Sequence, residues 1–78
     1  MSRLVLLGPA HEAAGVRRDE IDGETVGEVL ASASALYGPA FAEILAASTV
    51  WLNGESATAS QAVGPSDEIA VVPPISGG

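Results

Sequence analysis

The first apolar run in the chain, Leu4-Val5-Leu6-Leu7, is short and closed by Gly8-Pro9, a pattern that predicts a buried strand over residues 3–7. Residues 10–15 read as a connection or a single helical turn. Residues 16–22 are charged and alternate weakly, which predicts an edge strand, and Asp22-Gly23 then makes a turn. Thr25 and Glu28 stand at capping-box spacing, where each side chain can satisfy a backbone N–H that lacks a partner within the helix. Val26, Val29, Leu30, Ala33 and Tyr37 follow at helical intervals and give one apolar face. The main helix should therefore start at Thr25, lay Val26, Val29, Leu30 and Ala33 on a sheet, and stop at Gly38-Pro39. Phe41, Ile44 and Leu45 repeat the same spacing in a second short helix over residues 39–47.

Period-2 character then returns. Thr49 to Leu52 is rich in β-formers and ends at Asn53-Gly54, a hairpin signal. Residues 56–63 are a weak strand or a loop, Gly64-Pro65-Ser66-Asp67 a turn, and residues 68–72 a final apolar strand. Pro73-Pro74 halts pairing, because neither residue can donate to a ladder. The most apolar strands are the first and the last, which places them centrally. Parallel pairing between them needs a right-handed crossover, and the helical segment supplies it. The expected fold is α+β: a β-grasp (ubiquitin-like) mixed sheet with one main helix, a second short helix and a flexible C-terminal Gly-Gly tail. Residues 1–78 should form one domain, with residues 73–78 projecting from it.

Composition narrows the function classes. Seventy-eight residues leave room for one core, and 47% hydrophobic content is ample for it. Cysteine is absent, which removes disulfides, thiolate metal sites and thiol nucleophiles together. Ten acidic residues against three arginines give a net charge of −7, the wrong sign for a nucleic-acid partner. Such a surface suits a basic protein partner, or serves solubility alone. Lysine is absent as well. The opening apolar run is shorter than the roughly 7–15 residues of a signal-peptide core. No stretch approaches the roughly 20 apolar residues of a membrane span, so no membrane partner is expected and the location should be cytoplasmic.

No catalytic set is visible. His11 is the one histidine and reads as a solvated loop residue, with no second ligand at metal spacing. The serines lack a nucleophile-elbow context. Asp19, Glu20, Asp22 and Glu24 fit a solvated edge strand and turn at least as well as an acid–base pair. The C-terminus is different. Pro73-Pro74 projects the chain in an extended conformation, and Gly77-Gly78 ends it without side chains. Such a tail can enter a narrow channel and present a carboxylate to another protein's active site.

The segment Val72-Pro73-Pro74-Ile75-Ser76-Gly77-Gly78 resembles the end of the small subunit of molybdopterin synthase, a family of ubiquitin-like sulfur carriers. Asp67-Glu68-Ile69-Ala70-Val71-Val72 looks like that family's last strand, and Val50-Trp51-Leu52-Asn53-Gly54 is similar to its Val-Asn hairpin. Residues 3–7, followed by Glu12 and Gly15, fit the opening strand and loop. His11 stands where many relatives carry an arginine, and no aromatic residue lies near Val72. The resemblance implies that an E1-like adenylating enzyme uses ATP to activate Gly78, and that a sulfur donor protein then leaves a Gly78 thiocarboxylate. It further implies insertion of the tail, Pro73, Pro74, Ile75, Ser76 and Gly77, into a large catalytic subunit. There the sulfur would pass to a cyclic pyranopterin precursor in molybdenum cofactor biosynthesis. The chain would bind no cofactor and show no turnover alone. Leu7, Ile69 and Val72 are candidates for an apolar docking patch by the same likeness, with the core as their other possible place.

Three alternatives share parts of this pattern. A sulfur carrier for thiazole (thiamine) or cysteine synthesis would use the same tail chemistry. A ubiquitin-like protein modifier would end in an isopeptide bond on target lysines, although the absence of lysine argues against chains built on its own side chains. A β-grasp interaction module with an incidental Gly-Gly end needs no chemistry at all.

Overall fold

The computed structural model describes residues 1–74. The expected tail positions Ile75, Ser76, Gly77 and Gly78 lie outside the described residues. The elements run β1 (Ser2–Leu6), α1 (Pro9–Ala14), β2 (Arg18–Ile21), α2 (Val26–Tyr37), α3 (Pro39–Ala46), β3 (Thr49–Leu52), β4 (Glu55–Ser56) and β5 (Glu68–Val72). Among the described residues they form a five-stranded sheet in the order β2-β1-β5-β3-β4. The two most apolar strands, β1 and β5, are central and parallel, in register from Arg3 opposite Glu68 to Leu6 opposite Val71. Every other pairing is antiparallel. This is the expected β-grasp.

Alternation along the strands decides which side chains meet the helices. Leu4, Leu6, Ile69 and Val71 are fully buried, and Ile21 nearly so. Val26, Val29 and Ala33 of α2 and Phe41 of α3 close over them. Burying each of the larger side chains contributes about 1.5–3 kcal/mol. Tyr37 meets Phe41 edge to face, with centroids 5.1 Å apart, and so joins the two helices. Gly38 separates them at φ 98°, a left-handed conformation that a side chain would strain, and Pro39 begins α3.

The start of α2 shows why residues 57–63 have little strand structure. Thr25 is the N-cap, and its hydroxyl accepts from the Glu28 N–H at 3.2 Å. The Glu28 carboxylate reaches the N–H of Glu24, at 3.1 Å, rather than that of Thr25. The Val26 and Gly27 N–H groups donate to the carbonyls of Gln61 and Ala59, each at 2.9 Å. The loop is therefore spent on satisfying the helix end, with a single bridge from Ala62 to Thr25. Residues 10–15 take the helical alternative as α1, which ends at Gly15 in the left-handed region.

Candidate functional site

The tail grows from the best-held strand of the sheet. β5 pairs with β1 on one side and with β3 on the other, where Thr49 lies opposite Val72 and Leu52 opposite Ile69. Moving β5 along its axis would break two ladders at once. Past Val72, Pro73 is buried and Pro74 exposed, so the chain leaves the body at a fixed point. The chain thus leaves the sheet after a Pro73 that is buried rather than projecting, while the expected acyl site Gly78 and the expected tail positions Ile75, Ser76 and Gly77 lie outside the described residues.

The opposite end of β5 is set by side chains. Asn53 adopts φ 51° in the β3–β4 turn and points at the turn that leads into β5. Its amide nitrogen donates to Asp67 at 2.9 Å, and its amide oxygen accepts from the Glu68 N–H at 2.9 Å. The other Asp67 oxygen accepts from the Gly64 N–H at 2.8 Å. These two hydrogen bonds, Asn53 first, hold the Asp67 carboxyl below its ordinary range. The two turns at this end of the sheet are one unit.

The sheet face away from the helices carries Arg3, Val5, Arg18, Glu20, Glu68, Ala70, Val72, Thr49 and Trp51. Cross-strand register lines up Val5, Ala70 and Trp51 in one row and sets Val72 beside Thr49. Leu7, just beyond β1 at the same end as Val72, is 43% exposed. Leu7, Val72, Val5, Ala70 and Trp51 therefore make an apolar strip that ends at the root of the tail.

Ile69 does not belong to it. It has no exposed surface, because it alternates with Ala70 and turns to the helices with Val71. Of the three residues expected in a docking patch, Leu7 and the half-buried Val72 lie on this strip, where Ala70 stands in place of Ile69. Val5 and Ala70 could have been found from the period-2 spacing of Leu7 to Val5 and of Val72 to Ala70, whereas Trp51 joins the strip only through its register with Ala70.

Two members of the acidic stretch, Asp19 and Asp22, make contacts within the fold. Asp19 accepts from the Tyr37 hydroxyl at 2.7 Å and from the Glu20 N–H at 2.8 Å, tying the edge strand to α2. Burial raises the Tyr37 pKa well above the usual phenol range, helped by the hydrogen bond to Asp19 and its charge. Asp22 lies 3.8 Å from the N-terminal amine. His11 sits on α1, and no three His, Cys, Asp or Glu gather at metal-binding distance among the described residues. No helix is long and apolar enough to cross a membrane among those residues.

Residues 4–78 match the ThiS family. Small archaeal modifier protein 1 of Haloferax volcanii is 32% identical, with 99% of this chain and 98% of that chain covered and a TM-score of 0.81. Its counterpart from Methanosarcina acetivorans is 26% identical, with 99% and 95% covered and a TM-score of 0.88. A putative molybdopterin converting factor subunit 1 of Pyrococcus furiosus shares the fold at 19% identity, with 95% and 97% covered and a TM-score of 0.82. A match that runs from β1 to Gly78, over a β-grasp whose central strand leads into a Gly-Gly end, settles the kinship: the chain belongs to the ThiS family of ubiquitin-like sulfur carriers.

Proposed function

We propose that this chain carries sulfur at Gly78 as the small subunit of a molybdopterin synthase. Its carboxylate attacks the α-phosphorus of ATP in an adenylating enzyme, and pyrophosphate leaves. Sulfide delivered by a donor protein then attacks the acyl carbon and expels AMP, leaving a thiocarboxylate. The tail next enters the large catalytic subunit, which supplies the acid–base groups and binds the cyclic pyranopterin precursor. The absence of cysteine supports the acyl terminus as the place for sulfur, since no side chain can hold it. The observation that carries the reading is the shared end of the sheet: Val72, Leu7 and the buried Pro73 put an apolar strip and the tail root side by side. A partner that swallows the tail meets that strip first.

The test is mass measurement of the intact protein after incubation with ATP, adenylating enzyme and a sulfur source. Wild type should exchange one oxygen for one sulfur, and a variant with one residue added after Gly78 should not. The extra residue turns the carboxylate into an amide and moves the new terminus about 3.3–3.6 Å along an extended chain. Equal conversion of both would refute a role for the free Gly78 carboxylate. Gly77→Val should slow conversion without abolishing it.

A second reading has its own support, because the 32%-identical structure is a small archaeal modifier protein. There the activated Gly78 would acylate lysines of target proteins. Dithiolene formation from the pyranopterin by the sulfur-loaded carrier and large subunit favours the first reading. Lysine-linked conjugates without dithiolene favour the second.

A further inference from the structure

The helix side of the tail root holds a groove that the sulfur-carrier reading leaves unused. It encloses about 310 Å³ and is lined by Pro9, Glu43, Ile44, Ala47, Pro73 and Pro74. Its walls are the start of α1 and the C-terminal half of α3. The buried Pro73 ring forms part of the floor, whereas Pro9, Glu43, Ala47 and Pro74 are exposed. Prolines offer no N–H, so a partner gains nothing here by adding a strand. What the groove offers is apolar surface with one carboxylate, Glu43, at its side.

We propose that the enzyme activating Gly78 grips the carrier on this groove as well as on the sheet face, seating there an apolar side chain with a basic residue beside it. The inference rests on the acyl-carrier reading above. Its first support is length. Four residues separate Pro74 from the end of the chain, at most about 14 Å when extended. An active site that holds Gly78 must therefore bring the mouth of its channel against whatever surrounds Pro74. On one side that is Val72, Leu7 and Thr49; on the other it is the groove, which Pro74 itself lines.

Charge is the second support. All three arginines, Arg3, Arg17 and Arg18, lie on β1, β2 or the link between α1 and β2. None lines the groove, and Glu43 makes no ion pair among the described residues. A cation on the channel rim would meet a net −7 carrier at a carboxylate that is otherwise uncompensated.

Steady-state adenylation, followed as pyrophosphate release with ATP and the adenylating enzyme, tests this on the full-length chain. Ala47→Arg fills the groove and adds the wrong charge; it should raise the apparent KM for the carrier about tenfold while leaving kcat nearly unchanged. Glu43→Gln should raise KM about threefold and flatten its dependence on salt. Glu55→Gln removes the same charge at the far end of the sheet and should keep the wild-type KM. Thermal denaturation checks that each variant folds; if Ala47→Arg does not, Glu43→Gln alone decides. Wild-type KM in every folded groove variant, with wild type adenylated normally, would overturn the groove and leave the carrier reading intact. Failure of wild type to be adenylated would remove both.

Discussion

Replacing Asn53 by alanine should destabilise the domain by about 2 kcal/mol. Two losses add up. Asn53 holds φ 51°, a left-handed conformation that asparagine tolerates and alanine resists by about 1–2 kcal/mol. Its amide oxygen also accepts the Glu68 N–H at 2.9 Å, and a hydrogen bond of this kind contributes about 0.5–1.5 kcal/mol, toward the lower end at an exposed site. The contact with Asp67 is solvent-facing, so the two losses above carry most of the sum. In a domain of this size about 1 kcal/mol moves the melting temperature by roughly 4–8 °C, so a drop of about 8–16 °C is expected. Asn53→Gly separates the two causes. Glycine relieves the backbone cost and keeps only the lost hydrogen bond, so its drop should be less than half as large. Thermal unfolding by circular dichroism measures both. Equal melting temperatures for the two variants would refute the left-handed cost, and wild-type stability in both would refute the coupling of the hairpin to β5.

Three further outcomes follow from the same geometry. Thr25→Ala should cost about 1 kcal/mol by urea denaturation, since it removes the acceptor of the Glu28 N–H; an unchanged midpoint would show the cap to be idle. Gly23→Ala should destabilise by about 1–3 kcal/mol, because its Cβ would sit 2.7 Å from the Val29 backbone nitrogen and Cγ2; full stability would mean that the turn moves freely. Asp67 has a folded-state pKa below its unfolded one, so its share of stability is present above the unfolded pKa and is lost as pH falls through the folded pKa. Asn53→Ala removes the main cause of that shift, and its stability should therefore decline less between neutral and acidic pH than that of wild type; parallel pH profiles would contradict this.

Local pattern reveals the elements that periodicity or apolar character marks in their own residues. The change from period 2 to period 3.6 at Thr25, and back at Thr49, locates the sheet and both main helices. The apolar character of β1 and β5 places them in the centre. Side-chain and loop contacts between distant residues left no such trace. Asp19 reads as one of a run of carboxylates, because the hydroxyl it holds is on Tyr37, at the far end of α2. The loop of residues 57–63 looks featureless because it acts through the backbone carbonyls of Ala59 and Gln61, which every residue has. Ile69 and Ala70 show the limit within a strand. Both are apolar, and only the side on which the helices pack tells which of them is covered.

The place of β5 in the chain has a consequence for synthesis. It is the last strand of the sheet to be made and the one that joins the two halves, with β2 and β1 on one side and β3 and β4 on the other. While it is still inside the ribosome, β1 and β3 have no common neighbour, and closure must wait for contacts that span most of the sequence. A polypeptide cut short anywhere before Glu68 lacks both the keystone of the sheet and the terminus that reacts in the carrier reading. The sheet is thereby closed only when β5 is made, so a product aborted before it should be recognised as misfolded.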